Sequence, residues 1–190
     1  RTNGTSIVNM LKECGSAKVI VPTTNSGYGV TKEYDGKLVY CTEETELNPI
    51  SVYGESKMAA EKAVLEYGGI SLRLATVFGV SPRMRTDLLV NDFVLKACKD
   101  RYIVLFESHF KRNYLHVKDV VNAFIHCIHN YSSMSGEAFN VGLSSANLSK
   151  MELCQEIKKH IPDFYVEESE INKDPDQRNY VVSNAKIENT

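Results

Sequence analysis

The chain has 190 residues, 43% of them hydrophobic and 24% charged, with a formal net charge of -2, which suffices for one domain with a sizeable core. Its charges are dispersed and balanced and its apolar runs are short, so we expect a cytoplasmic protein that binds neither nucleic acid nor membrane. The cysteines form no Cys-x-x-Cys pair. This pattern favours reduced core thiols over disulfides or a metal site.

The first half of the chain alternates between helix-like and strand-like segments. Residues 3–14 have helical apolar spacing with Gly15 as a stop signal, and "AKVIVPTT" at 17–24 predicts a short buried strand. A second helix over 49–69 and a second strand, "ISLRLATVFG" at 70–79, follow. Because helices and buried strands alternate, we expect an α/β fold with a parallel sheet covered by helices.

The second half continues with the same two kinds of element. The sequence "NLSKMELCQEIKKHI" predicts a helix at whose start Ser149 and Glu152 are spaced as a capping box. The stretch "FYVEESEI" indicates an edge strand with a solvated acidic face. The other predicted elements are helices at 87–99 and 117–130 and strands at 102–107 and 137–142.

A tyrosine and a lysine four residues apart are the first candidates for chemistry. On a helix this spacing places two side chains on one face, whereas on a strand it separates them by about 13 Å. Only Tyr53 and Lys57 lie at the start of a sustained run of helix formers, "ESKMAAEKAVLE". The same spacing recurs where the surroundings predict a turn or extended chain, in Tyr28 with Lys32 and Tyr114 with Lys118. We therefore select the middle pair, its alternative being an ordinary surface helix pair.

Polar side chains follow the first predicted strand, in "PTTNSGYG". In doubly wound sheets ligands collect at the carboxyl ends of the strands, and Tyr53 begins the next helix close to that edge. A Lys57 ammonium one turn along would stabilise the Tyr53 phenolate for proton exchange with a carbinol. The Thr24 hydroxyl could hold the same carbinol oxygen, or Thr24 could simply end the strand in a turn. This set suits hydride transfer between a sugar hydroxyl and a nicotinamide.

Several segments occur together in an order that resembles a known family. They are "VPTTNSGYG", "VYGESKMAAEK", "LRLATVFG", "KRNYLHVKDVVNAF", "EAFNVG" and "DPDQRNYVVSNAKI". In order and spacing they are similar to extended short-chain dehydrogenase/reductase enzymes, the NAD-dependent nucleotide-sugar epimerases and dehydratases. The resemblance covers nearly the whole chain and implies the C-terminal part of a Rossmann-like doubly wound parallel sheet with a small α+β substrate-binding subdomain.

The resemblance also implies roles for particular residues. It places the family's catalytic tyrosine on Tyr53 and its lysine on Lys57, both of them also cofactor-binding, and its catalytic Ser/Thr on Thr24, which would also contact substrate. The implied cofactor is NAD, with NADP not excluded. The implied partner is a nucleoside-diphosphate sugar, and the helix carrying the pair could also form a homodimer.

Substrate contacts are implied elsewhere in the chain. Arg112 matches the family's nucleotide-diphosphate contact, since the guanidinium fork suits phosphate oxygens, although it could instead be an exposed strand residue. Arg178 is a second phosphate candidate. Asn91 falls where the family often has a substrate-binding asparagine, although neighbouring residues could serve. We expect residues 1–80 to carry the catalytic pair and 81–190 mainly to bind the sugar nucleotide, with 117–145 returning to the Rossmann-like domain.

Departures from the family pattern bear on the reaction. Where dehydratases of the family usually have Asp-Glu after the catalytic threonine, this chain has Asn25 and Ser26, which argues against 4,6-dehydration. The family's glycine-rich dinucleotide turn does not occur in the sequence, so the chain resembles a piece of a longer enzyme. The leading hypothesis is epimerisation of a nucleoside-diphosphate sugar through a keto intermediate. The alternatives are a reductase or dehydratase of the same family, or a catalytically silent fragment.

Overall fold

The computed structural model describes residues 4–171, 176 and 178–190. Two 3-10 turns occur in this part, at Asn25–Tyr28 and Ser144–Ala146. The helices are α1 Thr5–Glu13, α2 Val52–Tyr67, α3 Leu89–Lys99, α4 Val117–His129, α5 Tyr131–Met134, α6 Lys150–His160 and α7 Ala185–Glu188. The strands are β1 Ile20–Thr24, β2 Glu33–Tyr34, β3 Lys37–Leu38, β4 Tyr40–Cys41, β5 Ile70–Leu74, β6 Thr76–Phe78, β7 Tyr102–Phe106, β8 Lys111–His116, β9 Ala138–Val141, β10 Asn147–Ser149, β11 Tyr165–Ser169 and β12 Val181–Val182.

A parallel sheet of order β1-β5-β9 forms the centre of the first half of the fold. In its register Ile20 lies opposite Ile70, and Leu72 lies opposite Phe139. Each crossover between neighbouring strands includes a helix, because parallel strands cannot be joined by a tight turn. The predicted α/β class with a helix-covered parallel sheet is confirmed.

The predicted strand over 70–79 is wrong as a single element. It divides at Ala75 into β5, which belongs to the central sheet, and β6, which pairs in parallel with β8. The Ala75 N–H still donates to Val141 O at 2.8 Å, after which the chain leaves β9 for another partner. The apolar run has no turn residue at this point, so its sequence does not reveal the change of sheet.

Smaller sheets cover the second half of the fold. Strand β8 pairs with β6 on one side and antiparallel with β10 on the other. The predicted edge strand is confirmed as β11, which pairs in parallel with β7. Strand β12 pairs in parallel with β4, so the C-terminal segment returns to the chain that follows β1. This return places residues near 180 beside residues near 26.

Apolar cores lie on both faces of the central sheet. Ile20, Ile70 and Leu72 point to the face covered by α4, whereas Val21 points to the face covered by α1 and α2, where it packs on Val64. A further core fills the space between α3, α6 and strands β7 and β8. The capping box that begins α6 is confirmed, with Ser149 and Glu152 each bonding the other's backbone N–H.

A buried polar cluster attaches α2 to the sheet. Glu61 of α2 forms an ion pair with Arg73 of β5 at 2.7 Å and accepts hydrogen bonds from Thr23 and Ser71. Arg73 also donates to the hydroxyl of Tyr28 at 2.9 Å. Both members of the ion pair have side chains that are 7% exposed. Because a charge without its partner is costly in this environment, the cluster fixes the position of α2 over β1 and β5.

The cysteines, the possible metal ligands and the helices relate to the expectations of reduced thiols and of no metal site or membrane span. Cys41, Cys127 and Cys154 are buried, as expected of core thiols, while Cys14 is partly buried and Cys98 is exposed. Within the described ranges, no three His, Cys, Asp or Glu side chains gather in a set that could hold a metal ion. Nor does that part of the chain contain a helix with the length and apolarity needed to cross a membrane.

Candidate active site

Tyr53 and Lys57 lie in the first two turns of α2. The Ser51 hydroxyl caps this helix by accepting from Gly54 N at 3.1 Å, and Gly68 ends it in the left-handed conformation. The predicted helix is confirmed with shorter bounds. The Lys57 Nζ lies 6.0 Å from the centroid of the Tyr53 ring, so the pair shares one helix face.

The other two Tyr/Lys spacings form no such pair. Tyr28 is buried in the 3-10 turn that follows β1, and Tyr114 is a buried residue of β8, whereas Lys118 belongs to α4. The prediction that, of the three spacings, only Tyr53 and Lys57 lie together on a helix is therefore confirmed.

Lys57 connects the pair to the first strand of the central sheet. Its Nζ donates to Pro22 O of β1 at 3.0 Å, and partial burial lowers the pKa of this lysine. Tyr53 is 49% exposed, which leaves its phenol accessible to a ligand. The ammonium is thus fixed against the strand while the phenol remains at the surface, an arrangement suited to a proton-transfer group and its electrostatic partner.

Thr24 is the last residue of β1 and begins the following 3-10 turn. Its Oγ1 accepts from Ser26 N at 3.1 Å and donates to Ser26 Oγ at 3.0 Å. Gly54 allows the start of α2 to approach this turn, because a Cβ there would lie 2.8 Å from Pro49 Cβ and 3.6 Å from Ser26 O. The start of α2 therefore lies against the backbone of the turn that contains Ser26.

Arg178 reaches the same cluster from the C-terminal segment. Its Nη1 donates to Ser26 Oγ at 2.5 Å, and its Nε and Nη2 bind the carboxylate of Asp176. Hydrogen bonding to Asp176 raises the pKa of Arg178, and Tyr53 lies close enough to contribute electrostatically to that rise. Arg178, Ser26, Thr24 and Tyr53 therefore form one group at the carboxyl end of β1.

Arg112 joins this group through Asp176. It is a buried residue of β8 rather than an exposed one, and its Nη2 lies 3.0 Å from Asp176 Oδ1. Burial raises the pKa of Asp176, but the hydrogen bonds from Arg178 and the charge of Arg112 outweigh it and lower the pKa to about 2. The carboxylate thus remains charged between the two guanidinium groups at neutral pH.

Asn91 is placed differently. It is a buried residue of α3 whose Oδ1 accepts from Gly79 N at 3.3 Å and whose Nδ2 donates to Arg85 O at 3.0 Å. These bonds go to the segment between β6 and α3, and they assign Asn91 a supporting role for that loop. A substrate contact for this residue stays a prediction.

The sequence places Ser26 among the polar residues that follow the first strand, but it assigns no role to Ser26 and does not identify Asp176. The spacing of Asp176 and Arg178, two residues apart in a polar stretch, suggests at most a local ion pair. Ser26 lies 152 positions from Arg178, and no local pattern in the sequence connects residues so far apart. The pairing of β12 with β4 and the bridge between Val30 and Asn179 bring the two segments together.

Comparison with known proteins identifies the class to which this fold and site belong. Residues 2–142 match the family described as the NAD dependent epimerase/dehydratase family, and the chain is a member of that family. A UDP-glucose 4-epimerase of Lactobacillus helveticus is 26% identical, over 83% of this chain and 53% of that protein. The chain spans about half the length of the curated relatives it matches.

Solved structures show the same fold. The UDP-glucuronic acid 4-epimerase of Bacillus cereus, in complex with UDP-glucuronic acid and NAD, superposes with a TM-score of 0.81 at 20% identity, over 98% of this chain and 60% of that one. The dTDP-glucose 4,6-dehydratase of Bacillus anthracis, in complex with NAD, gives a TM-score of 0.79 at 24% identity, over 98% and 59%. The central sheet is therefore Rossmann-like.

Proposed function

We propose that this chain carries the catalytic and substrate-binding residues of an NAD-dependent epimerase acting on a nucleoside-diphosphate sugar through a keto intermediate. The observation that carries the proposal is the position of Tyr53 and Lys57, one turn apart at the carboxyl end of β1, next to the Thr24–Ser26 hydroxyls and Arg178. A half-exposed phenol beside a fixed ammonium can accept a proton from a carbinol and later return it.

In the proposed reaction Tyr53 removes the hydroxyl proton of the sugar, and the Lys57 ammonium stabilises the phenolate that results. Thr24 contacts the same oxygen and orients it. Bound NAD would supply the redox chemistry that these residues lack, as an acceptor for the hydride of the carbinol carbon and a donor of that hydride to the opposite face of the keto sugar. Tyr53 then gives the proton back, so product and substrate have the same atoms and oxidation state.

The described residues fit the nicotinamide end of that cofactor. Tyr53 and Lys57 lie at the carboxyl end of a parallel strand, where nucleotides bind in open α/β sheets, and both are candidates to contact the nicotinamide ribose. The family's glycine-rich phosphate turn does not occur in this sequence. The proposal for this chain is therefore limited to the nicotinamide end.

Arg178 and Arg112 are the proposed contacts for the diphosphate of the substrate. Their guanidinium groups converge on one carboxylate, and groups that hold a carboxylate in this way suit a phosphate as well. Similar structures determined with UDP-glucose and with UDP-glucuronic acid support a nucleotide sugar as the ligand. Thr24 and Asn91 are further proposed substrate contacts.

The arrangement of the fold supports a division of labour within the chain. We propose that residues 1–80 supply the catalytic pair and that 81–190 mainly bind the sugar nucleotide. Residues 117–145 return to the Rossmann-like part, in agreement with the pairing of β9 and β5. A homodimer through α1 and α2 is also proposed, since Met10 and Val52 on these helices are exposed.

The dehydratase alternative lacks an acid at the required positions. Asn25, which follows Thr24, is uncharged and fully buried, so it has neither the proton nor the access for acid catalysis. Ser26 is engaged by Arg178 and Thr24. These observations favour epimerisation over 4,6-dehydration.

Product analysis tests the proposal. The 190-residue chain is incubated with NAD and a panel of nucleoside-diphosphate sugars, and products are separated by ion-exchange chromatography and identified by NMR. We expect an isomer of unchanged mass with no net NADH, and complete loss of turnover in Tyr53→Phe. The matched control is Tyr34→Phe, which alters an exposed tyrosine of a short hairpin. Near-normal turnover by Tyr53→Phe would refute the proposal, whereas absence of turnover by the wild-type chain would favour the catalytically silent alternative.

A further inference from the structure

One carboxylate occupies the two arginines that the proposed function assigns to the substrate's diphosphate. Asp176 Oδ1 lies 3.0 Å from Arg112 Nη2 and 2.6 Å from Arg178 Nε. The second oxygen, Oδ2, lies 2.5 Å from Arg178 Nη2. Both oxygens of the carboxylate are therefore bound, by Arg178 Nε and Nη2 and by Arg112 Nη2.

The three side chains differ in their access to solvent. That of Arg112 is 4% exposed, whereas those of Asp176 and Arg178 are 36% and 31% exposed. Arg112 also donates to Lys111 O and to the backbone oxygen of Asp176, and its Cζ lies 5.4 Å from the centroid of the Tyr180 ring. An anion arriving from solvent meets Asp176 and Arg178 before it can meet Arg112.

We propose that Asp176 is a built-in counter-anion, which a phosphate-bearing ligand must displace before it contacts both Arg112 and Arg178. This inference rests on the proposed function. A buried guanidinium needs an anionic partner, and a carboxylate supplies one from within the chain. A diphosphate has more charge and more acceptor oxygens than a carboxylate, so it can replace Asp176 on both arginines. The affinity of the site is accordingly lowered by the cost of moving Asp176 away.

The hydrogen bond between Arg178 and Ser26 predicts whether a substitution of Asp176 strengthens or weakens the binding of anions. Arg178 Nη1 donates to Ser26 Oγ, a contact that does not involve Asp176. Ser26 is itself held by the hydrogen bond from Thr24. Removing the charge of Asp176 therefore leaves Arg178 attached at the site while freeing its other donors. The variant should bind anions more tightly, because competition and repulsion by the carboxylate are both removed.

Isothermal titration calorimetry with inorganic pyrophosphate tests this proposal on the 190-residue chain. We expect Asp176→Asn to bind pyrophosphate about tenfold more tightly than the wild type. The matched control is Asp87→Asn, because Asp87 forms a similar bidentate pair with Arg85 two residues away, on the exposed surface. That control should leave the affinity unchanged. If Asp176→Asn does not fold, Asp176→Ser removes the same charge and is measured instead.

The outcomes separate the two proposals. Equal or weaker binding by Asp176→Asn overturns the counter-anion role, as does an equal gain in Asp87→Asn. If Arg178→Ala loses pyrophosphate binding while Asp176→Asn gains none, only the role of Asp176 fails. If Arg178→Ala binds as well as the wild type, or if no protein binds pyrophosphate, the phosphate site itself is wrong and both proposals fail. Titration with UDP then shows whether a nucleoside strengthens the same site.

Discussion

The buried pair of Glu61 and Arg73 should contribute several kcal/mol to the stability of the fold. Arg73→Met removes the 2.7 Å ion pair with Glu61 and the 2.9 Å hydrogen bond to Tyr28, and it leaves a carboxylate in a site that is 7% exposed. Breaking a buried pair from one side costs about 3–5 kcal/mol, because the remaining charge loses its partner. We expect a loss of that size in the free energy of unfolding.

Urea denaturation followed by circular dichroism measures this loss. The double variant Arg73→Met with Glu61→Leu should recover much of the stability, since neither member then leaves a buried charge. The matched control is Lys62→Met, which breaks an ion pair with Glu66 between side chains that are 79% and 68% exposed. It should change stability by less than about 1 kcal/mol. Equal losses in the buried and exposed variants, or simple additivity in the double variant, would refute the reasoning.

Further predictions concern the surroundings of the candidate site. Gly54→Ala should lower the free energy of unfolding, measured by urea titration, by about 1–3 kcal/mol, because the new Cβ would lie 2.8 Å from the Cβ of Pro49. In an ordinary helix, alanine in place of glycine raises stability. A gain in stability in this variant would therefore contradict the prediction. Asn25→Asp places a carboxylate in a fully buried site whose amide has no hydrogen-bond partner among the described residues, so burial should raise its pKa above that of the unfolded chain. Its stability deficit in urea should then be small near pH ~4 and grow as the pH rises towards ~7, whereas Asn122→Asp on the exposed surface should show no such trend. The pKa of Asp176 is lowered to about 2, so its contribution to stability is present above pH ~4 and is lost as the pH falls below that value. Between pH ~2 and ~5 the melting temperature of Asp176→Asn should therefore change less steeply with pH than that of the wild type. Parallel curves of melting temperature against pH would disprove the contribution of Asp176.

The elements of this fold were largely predictable because its local signals agree with its tertiary structure. The helix that carries Tyr53 and Lys57 has strong helix formers, a serine cap and a glycine stop, and these fixed its position within a few residues. The parallel sheet followed from the alternation of helices and apolar strands. These features depend on neighbours in the sequence, which is the kind of information that periodicity contains.

Features that depend on distant contacts could not be predicted. The apolar run is continuous in the sequence, but its parts before and after Ala75 pair with two different strands. Glu61 and Arg73 resemble ordinary charged residues of a helix and a strand until packing places them together. The bridge from Arg112 through Asp176 to Arg178 likewise requires three segments to meet. The sequence resemblance assigned the arginines but not the acid between them.

The hydrogen bond from Lys57 to Pro22 also limits the main-chain pairing that is open to another strand beside β1. Val19 O accepts from Ile70 N, and in a parallel ladder alternate residues face opposite neighbours, so the backbone groups of Pro22 point away from β5. Proline has no N–H to offer there, and its carbonyl oxygen is occupied by Lys57 at 3.0 Å. At Pro22 an approaching strand therefore finds neither a free donor nor a free acceptor, so main-chain pairing on this side of β1 would have to omit this residue.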